Sequence, residues 1–161
     1  MLSHKLVLED VEEDYHLFAL HCSLDDYKIA FLLNKFLQIG LKRASVDVDF
    51  NHGEIQAQYP LYSFKEPEKY RAYHLLKNKY KGEVKKVISS GSLFVEDEVT
   101  PQITYLIPEF RDVDYFLKIE EDLEARDVNA LVGKLVSIPN IITAYAVDVD
   151  QLKSKNNLIL E

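Results

Sequence analysis

Ile107-Pro108-Glu109-Phe110-Arg111-Asp112-Val113-Asp114-Tyr115 stands between two extended runs. Pro108 has no backbone N–H to offer a neighbouring strand, so it stops the first run, Ile103 to Ile107. The second run, Tyr115 to Ile119, begins where the stretch ends. Its closing pair, Asp114-Tyr115, has a counterpart near the start of the chain in Asp14-Tyr15. Each pair opens a similar series. After the first come a nearly charge-free strand at 15–22, a helix from about Leu24 to Ile39, and an alternating strand at 44–50 that contains Val46-Asp47-Val48-Asp49. After the second come a strand, a helix carrying the stripe Val128, Leu131, Val132 and Leu135, and a strand at 141–149 that runs into Val147-Asp148-Val149-Asp150. From Tyr to the first Val of the tetrad is 31 residues in one series and 32 in the other.

Two strand-helix-strand units predict an α+β, ferredoxin-like fold: two βαβ units forming an antiparallel sheet with two helices, and a β-rich insertion between the units. The expected organisation is a single domain over 1–161, with units at 15–50 and 114–150 and the insertion at 51–107. In the first unit Ser23 and Asp26 have the spacing of a capping box, and Gly40 suits the left-handed residue that ends a helix. Asp127 is the expected N-cap of the second helix, and Pro139 its stop. Within the insertion Asn51-His52-Gly53 reads as a hairpin turn and Pro60 as an edge or bulge. Strands are expected at 70–80 and 87–95, divided by Tyr80-Lys81-Gly82, with Ser89-Ser90-Gly91-Ser92 breaking the second. A loop follows over Glu96-Asp97-Glu98 and Pro101. The apolar end Leu158-Ile159-Leu160 could dock on the body or on a partner, or fray.

The chain has 161 residues, 47% hydrophobic and 29% charged, the profile of a soluble globular protein. The N-terminus lacks the apolar core of a signal peptide, and no run reaches the length of a membrane span. Cys22 is the single cysteine, so no internal disulfide forms and a reducing, cytoplasmic setting is expected. The net charge of −8 argues against a general nucleic-acid binder. Charge is nevertheless uneven. Residues 65–86 hold eight basic residues and three acids, whereas 109–127 hold eight acids and three bases.

The stretch 107–115 resembles the signature of the IPExxVDY family, uncharacterised bacterial proteins named after their motif. Here three residues, Phe110-Arg111-Asp112, separate Glu109 from Val113-Asp114-Tyr115, where the name spells two. The resemblance implies no activity and assigns no catalytic residue. The pattern from Val128 to Val149 also resembles the closing helix and strand of ACT regulatory domains. Those domains commonly place a glycine after the first strand, where this chain has Cys22-Ser23-Leu24-Asp25-Asp26.

Several groups could carry chemistry. Glu109, Phe110, Arg111, Asp112 and Tyr115 would make an interaction surface with aromatic anchors; read structurally, they form a proline bend whose acids pair locally. Asp47, Asp49, Asp148 and Asp150 could attract a hard cation, but opposite sheet edges should keep the pairs apart. His21 and Cys22 are adjacent on a strand and point to opposite faces. His16, His52 and His74 lack zinc-ligand spacing. Tyr73, Lys77, Lys79 and Lys81, within the basic stretch, could stack bases and meet RNA phosphates, or form a lysine-protected edge hairpin. No catalytic residue, cofactor or metal ligand is assigned. The expected function is a non-enzymatic binding module for an unknown protein partner or for itself as a homodimer. RNA-associated and ACT-like ligand-binding roles are the alternatives, and an enzyme is the reading the residues support least.

Overall fold

A computed structural model describes residues 15–88 and 96–160. It is α+β, with two helices and antiparallel strand pairing throughout. The main sheet has six strands in the order β10-β1-β9-β6-β5-β2. These are β1 (His16–Cys22), β2 (Lys42–Arg43), β5 (Leu61–Glu66), β6 (Arg71–Lys77), β9 (Tyr115–Glu120) and β10 (Ile141–Val147). Two hairpins stand apart from it: β3 (Val48–His52) with β4 (Ile55–Tyr59), and β7 (Lys79–Ile88) with β8 (Glu96–Tyr105).

Both faces of the sheet are covered, which explains why its central strands read as near-continuous apolar runs rather than alternating ones. On one face Phe18, Leu20 and Cys22 of β1, Leu75 of β6 and Leu117 of β9 meet the helices α1 (Asp26–Leu37) and α2 (Ala125–Ser137). On the other, Leu17, Ala19, Leu76 and Phe116 meet Ala57 and Tyr59 of the first hairpin, Leu106, Ile107 and Val113 of the 107–115 stretch, and Leu152 and Leu158 of the C-terminal segment. That segment therefore packs onto the body: Leu158 is buried, although Ile159 is exposed. Helix α1 fixes itself chiefly through fully buried Ile29 and Leu33, each worth roughly 2 kcal/mol of apolar burial.

The plan of two βαβ units is not supported. The predicted strand 44–50 does not lie in the sheet as the second strand of a first unit; β9, β6 and β5 stand between β1 and β2. The apolar alternation through Val48 and Phe50 continues into Ile55, Ala57 and Tyr59, and Gly53, at φ 65°, turns the chain between them. A local hairpin closes a far shorter loop than a crossover would, so it captures this strand. Pro60, without a donor, separates β4 from β5 as the chain passes from hairpin to sheet. The later series is arranged as expected in one respect: α2 connects β9 to β10, and these strands flank β1 on its two sides.

Local corrections concern helix ends. Asp25 rather than Ser23 is the N-cap of α1, and it makes no side-chain cap bond. Gln38, not Gly40, takes the left-handed conformation at the C-terminus. Gly40 instead lies close to Phe64, whose ring would stand 3.3 Å from an added Cβ. The N-cap of α2 is Glu124, in a reciprocal capping box with Asp127. The chain does not break at Tyr80-Lys81-Gly82, which lies inside β7; the division falls at Asn78. Glu96-Asp97-Glu98 and Pro101 belong to β8, which ends at Tyr105, so Leu106 and Ile107 lie beyond the strand. Ser89-Ser90-Gly91-Ser92 and most of the predicted strand 87–95, like Asp14, lie outside the described residues.

Candidate functional site

The 107–115 stretch is wrapped around one side chain. Asn78, between β6 and β7, is completely buried. Its Nδ2 donates to the Phe110 carbonyl at 2.8 Å and to the Val113 carbonyl at 2.9 Å. Its Oδ1 accepts from the Ile107 N–H at 2.8 Å. Its backbone N–H donates to the Asp114 carbonyl, and its carbonyl accepts from the Leu106 N–H, both at 2.9 Å. A buried amide with every polar atom engaged fixes a loop that has few backbone partners of its own. Pro108 supports it by starting a 3₁₀ turn, Pro108–Phe110.

Around this centre the predicted interaction residues divide. Tyr115 is buried and its hydroxyl donates to the Leu24 carbonyl at 2.5 Å; burial pushes its pKa well above the ordinary tyrosine range. Phe110 packs edge-on against Phe116, with ring centroids 6.2 Å apart. Glu109 accepts from the Ser154 N–H at 3.1 Å and from the Ser154 hydroxyl. Burial pushes that carboxyl up, but the Ser154 hydrogen bonds prevail and hold it below the usual value. Arg111 lies 5.7 Å over the Tyr105 ring, and Asp112 is exposed. Neighbouring Asp114 accepts from the Cys22 N–H at 2.8 Å and from Lys79 Nζ at 3.0 Å. Glu109, Arg111 and Asp112 are the exposed members of the set, and of these Glu109 is tied to Ser154.

The basic stretch is likewise divided. Tyr73 is buried on the helix side, its hydroxyl donating to Glu121 at 3.1 Å. Lys77 ends β6, Lys79 is paired with Asp114, and exposed Lys81 lies further along β7. The acidic tetrads do not converge: Asp47 bonds Arg43, whereas Asp148 accepts from the Asp150 N–H. Among the described residues no group of three or more His, Cys, Asp or Glu is placed to hold a metal ion. His21 faces Tyr145 and His52 faces Tyr59, whose hydroxyl reaches Thr104.

A second polar cluster was not anticipated from the sequence. On the hairpin side of the sheet, Ser63 Oγ lies 2.8 Å from His74 Nδ1, and Glu120 Oε1 lies 3.7 Å from His74 Nε2. The order hydroxyl, imidazole, carboxylate is that of a hydrolytic triad, but the geometry is not. The 3.7 Å separation is too long for the base to be oriented by the acid. Glu120 is instead held by Lys118 at 3.2 Å. Lys118 is itself fully buried, donates to the Leu158 carbonyl at 3.0 Å and lies over the Tyr15 ring. Burial lowers the His74 pKa and keeps the ring neutral, against the opposing pull of Glu120. The available signal was a lone lysine inside Tyr115-Phe-Leu-Lys-Ile119: a charge in a strand buried on both faces must be paired within the fold.

The groups free to meet another molecule lie elsewhere. On α1, Tyr27 and Phe31 are 59% and 66% exposed. With Leu24, Lys28, Leu32 and Asn140 they line a shallow apolar groove of about 500 Å³. It sits where the β1–α1 and α2–β10 connections meet. Lys28 makes a loose 3.8 Å pair with Asp25 and lies 5.7 Å over the Tyr27 ring. No helix among the described residues is long and apolar enough to cross a membrane. No family model, curated protein or solved structure matches the chain.

Proposed function

We propose that this chain is a non-enzymatic, cytoplasmic protein-binding module that docks a protein partner on the outward face of α1. The observation that carries this reading is the pair Tyr27 and Phe31, two large aromatic side chains left open over an apolar groove. Aromatic anchors beside a hydrophobic concavity are the usual energetic centre of a protein contact. The polar groups best suited to chemistry support it from the other side. Asn78, Asp114, Lys118 and His74 are each engaged in holding loops, strands or the C-terminal segment. A reducing setting fits buried, free Cys22, whose thiol burial pushes toward the protonated form. On the same footing, the four strands β10-β1-β9-β6 are read as a ferredoxin-like frame in which β6 stands where the strand of a first βαβ unit was expected. Membership of the IPExxVDY family rests on residues 107–115 themselves.

The test is retention of a protein by the tagged chain from native cell extract, compared with Phe31→Asp. Partner retained by the wild type and lost in a folded Phe31→Asp variant supports the reading. Equal retention by both, or none by either, refutes it.

A further inference from the structure

The C-terminal segment is fastened to the hairpin side of the sheet at two places with different charge chemistry. In its middle, the Ser154 N–H and hydroxyl donate to the Glu109 carboxylate, and Asn157 Nδ2 donates to the Leu106 carbonyl at 2.7 Å. At its end, the Leu158 carbonyl accepts from Lys118 Nζ at 3.0 Å, and the Leu158 side chain is buried. Lys118 of β9 is 1% exposed and stands directly across from His74 of β6, which is 4% exposed. Residues opposed on antiparallel strands leave the sheet on the same face, with their Cβ atoms about 5 Å apart. An imidazole that can take a proton is thus packed beside the ammonium that fastens the end of the chain.

We propose that this juxtaposition is a pH-operated latch: protonation of His74 dislodges Lys118 from the Leu158 carbonyl and frees the end of the C-terminal segment, while the hold on Ser154 persists. At neutral pH the ring is uncharged, because burial disfavours the imidazolium, and Ser63 Oγ lies 2.8 Å from Nδ1. Among the described residues the charged groups that act on the ring are Glu120 and Lys118 from β9 and Lys65 from β5. The C-terminal segment brings the Leu158 carbonyl to Lys118, a polar group without charge. A proton on the ring changes the position of two of these groups. Glu120 Oε1, 3.2 Å from Lys118 and 3.7 Å from His74 Nε2, acquires a second cation to serve. Lys118 acquires a like charge on the residue opposite, in a buried place where salt and water screen it little. The ammonium relieves that repulsion by following Glu120, whose side chain is 35% exposed, toward solvent. A carboxylate holds it better than a neutral carbonyl does, so the bond to Leu158 is the one given up. The order of release follows from Glu109. The Ser154 hydrogen bonds keep that carboxylate ionised to more acid pH than an ordinary glutamate, so the middle of the segment stays fastened when its end lifts. What opens is the apolar face that Leu158 shares with Leu17 and Phe116. The latch is independent of the α1 surface, which lies on the other side of the sheet.

NMR of the full wild-type chain, titrated from neutral to mildly acidic pH, tests the latch without any variant. The His74 ring protons and the Leu158 amide are expected to shift with one midpoint, below the ordinary histidine value of 6.5, while the Ser154 amide stays in place. Amide exchange over 157–160, corrected for its intrinsic pH dependence, should quicken by at least about tenfold across the same range. His74→Gln keeps a polar side chain beside Ser63 but cannot take the proton, and should make both readings independent of pH. A Leu158 amide that stays still, or moves with a midpoint unlike that of the ring, overturns the proposal. So does exchange that quickens equally in the wild type and in a folded His74→Gln variant. Joint movement of the Ser154 and Leu158 amides overturns the latch in favour of release of the whole segment.

Discussion

Val113 lies 35 residues beyond Asn78, and its carbonyl accepts a 2.9 Å hydrogen bond from the Asn78 side chain. The same amide holds the Phe110 carbonyl and the Ile107 N–H. Asn78→Ala would leave these three groups without their partner while sparing the backbone bonds of residue 78. At roughly 1 kcal/mol for each net hydrogen bond, the expected loss is about 3 kcal/mol of unfolding free energy. Urea titration measures it, and a loss below about 1 kcal/mol would show that the stretch is held by packing instead.

Asp114 has two partners of unequal worth. Lys79 is a third exposed, and a pair of that kind contributes roughly 0–1 kcal/mol. Cys22 is the buried last residue of β1, and orphaning its N–H costs roughly 1–3 kcal/mol. Asp114→Ala should therefore destabilise much more than Lys79→Ala. Equal effects in thermal denaturation would place the ion pair, not the amide bond, at the centre of this contact.

His74 gives a pH dependence. Its folded pKa lies below the ordinary value of 6.5, chiefly through burial, with Lys118 and Lys65 adding to the shift and Glu120 opposing it. The unfolded chain thus binds a proton that the folded chain resists. Stability contributed by the neutral ring is complete above the unfolded value and falls as pH drops through 6.5 toward the folded value. His74→Gln should flatten that part of the stability profile. A wild type and variant with parallel profiles between neutral and mildly acidic pH would exclude the effect.

Gly82 looks like a turn glycine in sequence but sits within β7, where a Cβ would stand 2.8 Å from Ile55 Cγ2. Gly82→Ala should cost roughly 1–3 kcal/mol through overpacking. Made in an Ile55→Ala background, the same change should cost less, because the obstructing methyl is gone. Additive losses in the double variant would mean that the two hairpins do not meet as described.

Lys118→Met removes one partner of the Glu120 ion pair together with the donor to the Leu158 carbonyl, a change that destabilises because the remaining groups lose their partner. Its effect should be local. The Leu158 carbonyl loses its donor, so amide exchange across 152–160 should quicken while that of β9 does not. Unchanged exchange in the C-terminal segment would show that Leu152 and Leu158 dock without this anchor.

What could be read from the residues alone followed from patterns that do not depend on distant partners. The stripe of α2, the charge-free run of β1 and the turn at Gly53 are of this kind. The pairing of strand 44–50 was not, because alternation says which face is buried but not which sheet buries it. Asn78 was overlooked for the same reason. A single asparagine between two lysines looks like a solvated loop residue, and only the approach of a segment 35 residues distant makes it the best-satisfied polar side chain described. Within the candidate surface, helical spacing already places Phe31 off the face that Ile29 and Leu33 bury. That it opens over a groove is decided by Asn140, which is far away in the chain.

The neighbours of β1 are β9 and β10, which begin at Tyr115 and Ile141. During synthesis the chain emerges from its N-terminal end, so β1 is exposed to the cell before either strand that will cover its edges has been made. Its run of apolar residues must remain unpaired, or be shielded by another molecule, until nearly the whole polypeptide has been translated. Chains truncated before Ile141 would retain the hairpin of β3 and β4 but leave one side of β1 without its strand. Such fragments, rather than the finished protein, are the species most exposed to aggregation, and a stall late in translation would be more harmful here than in a fold whose first strand pairs with its second.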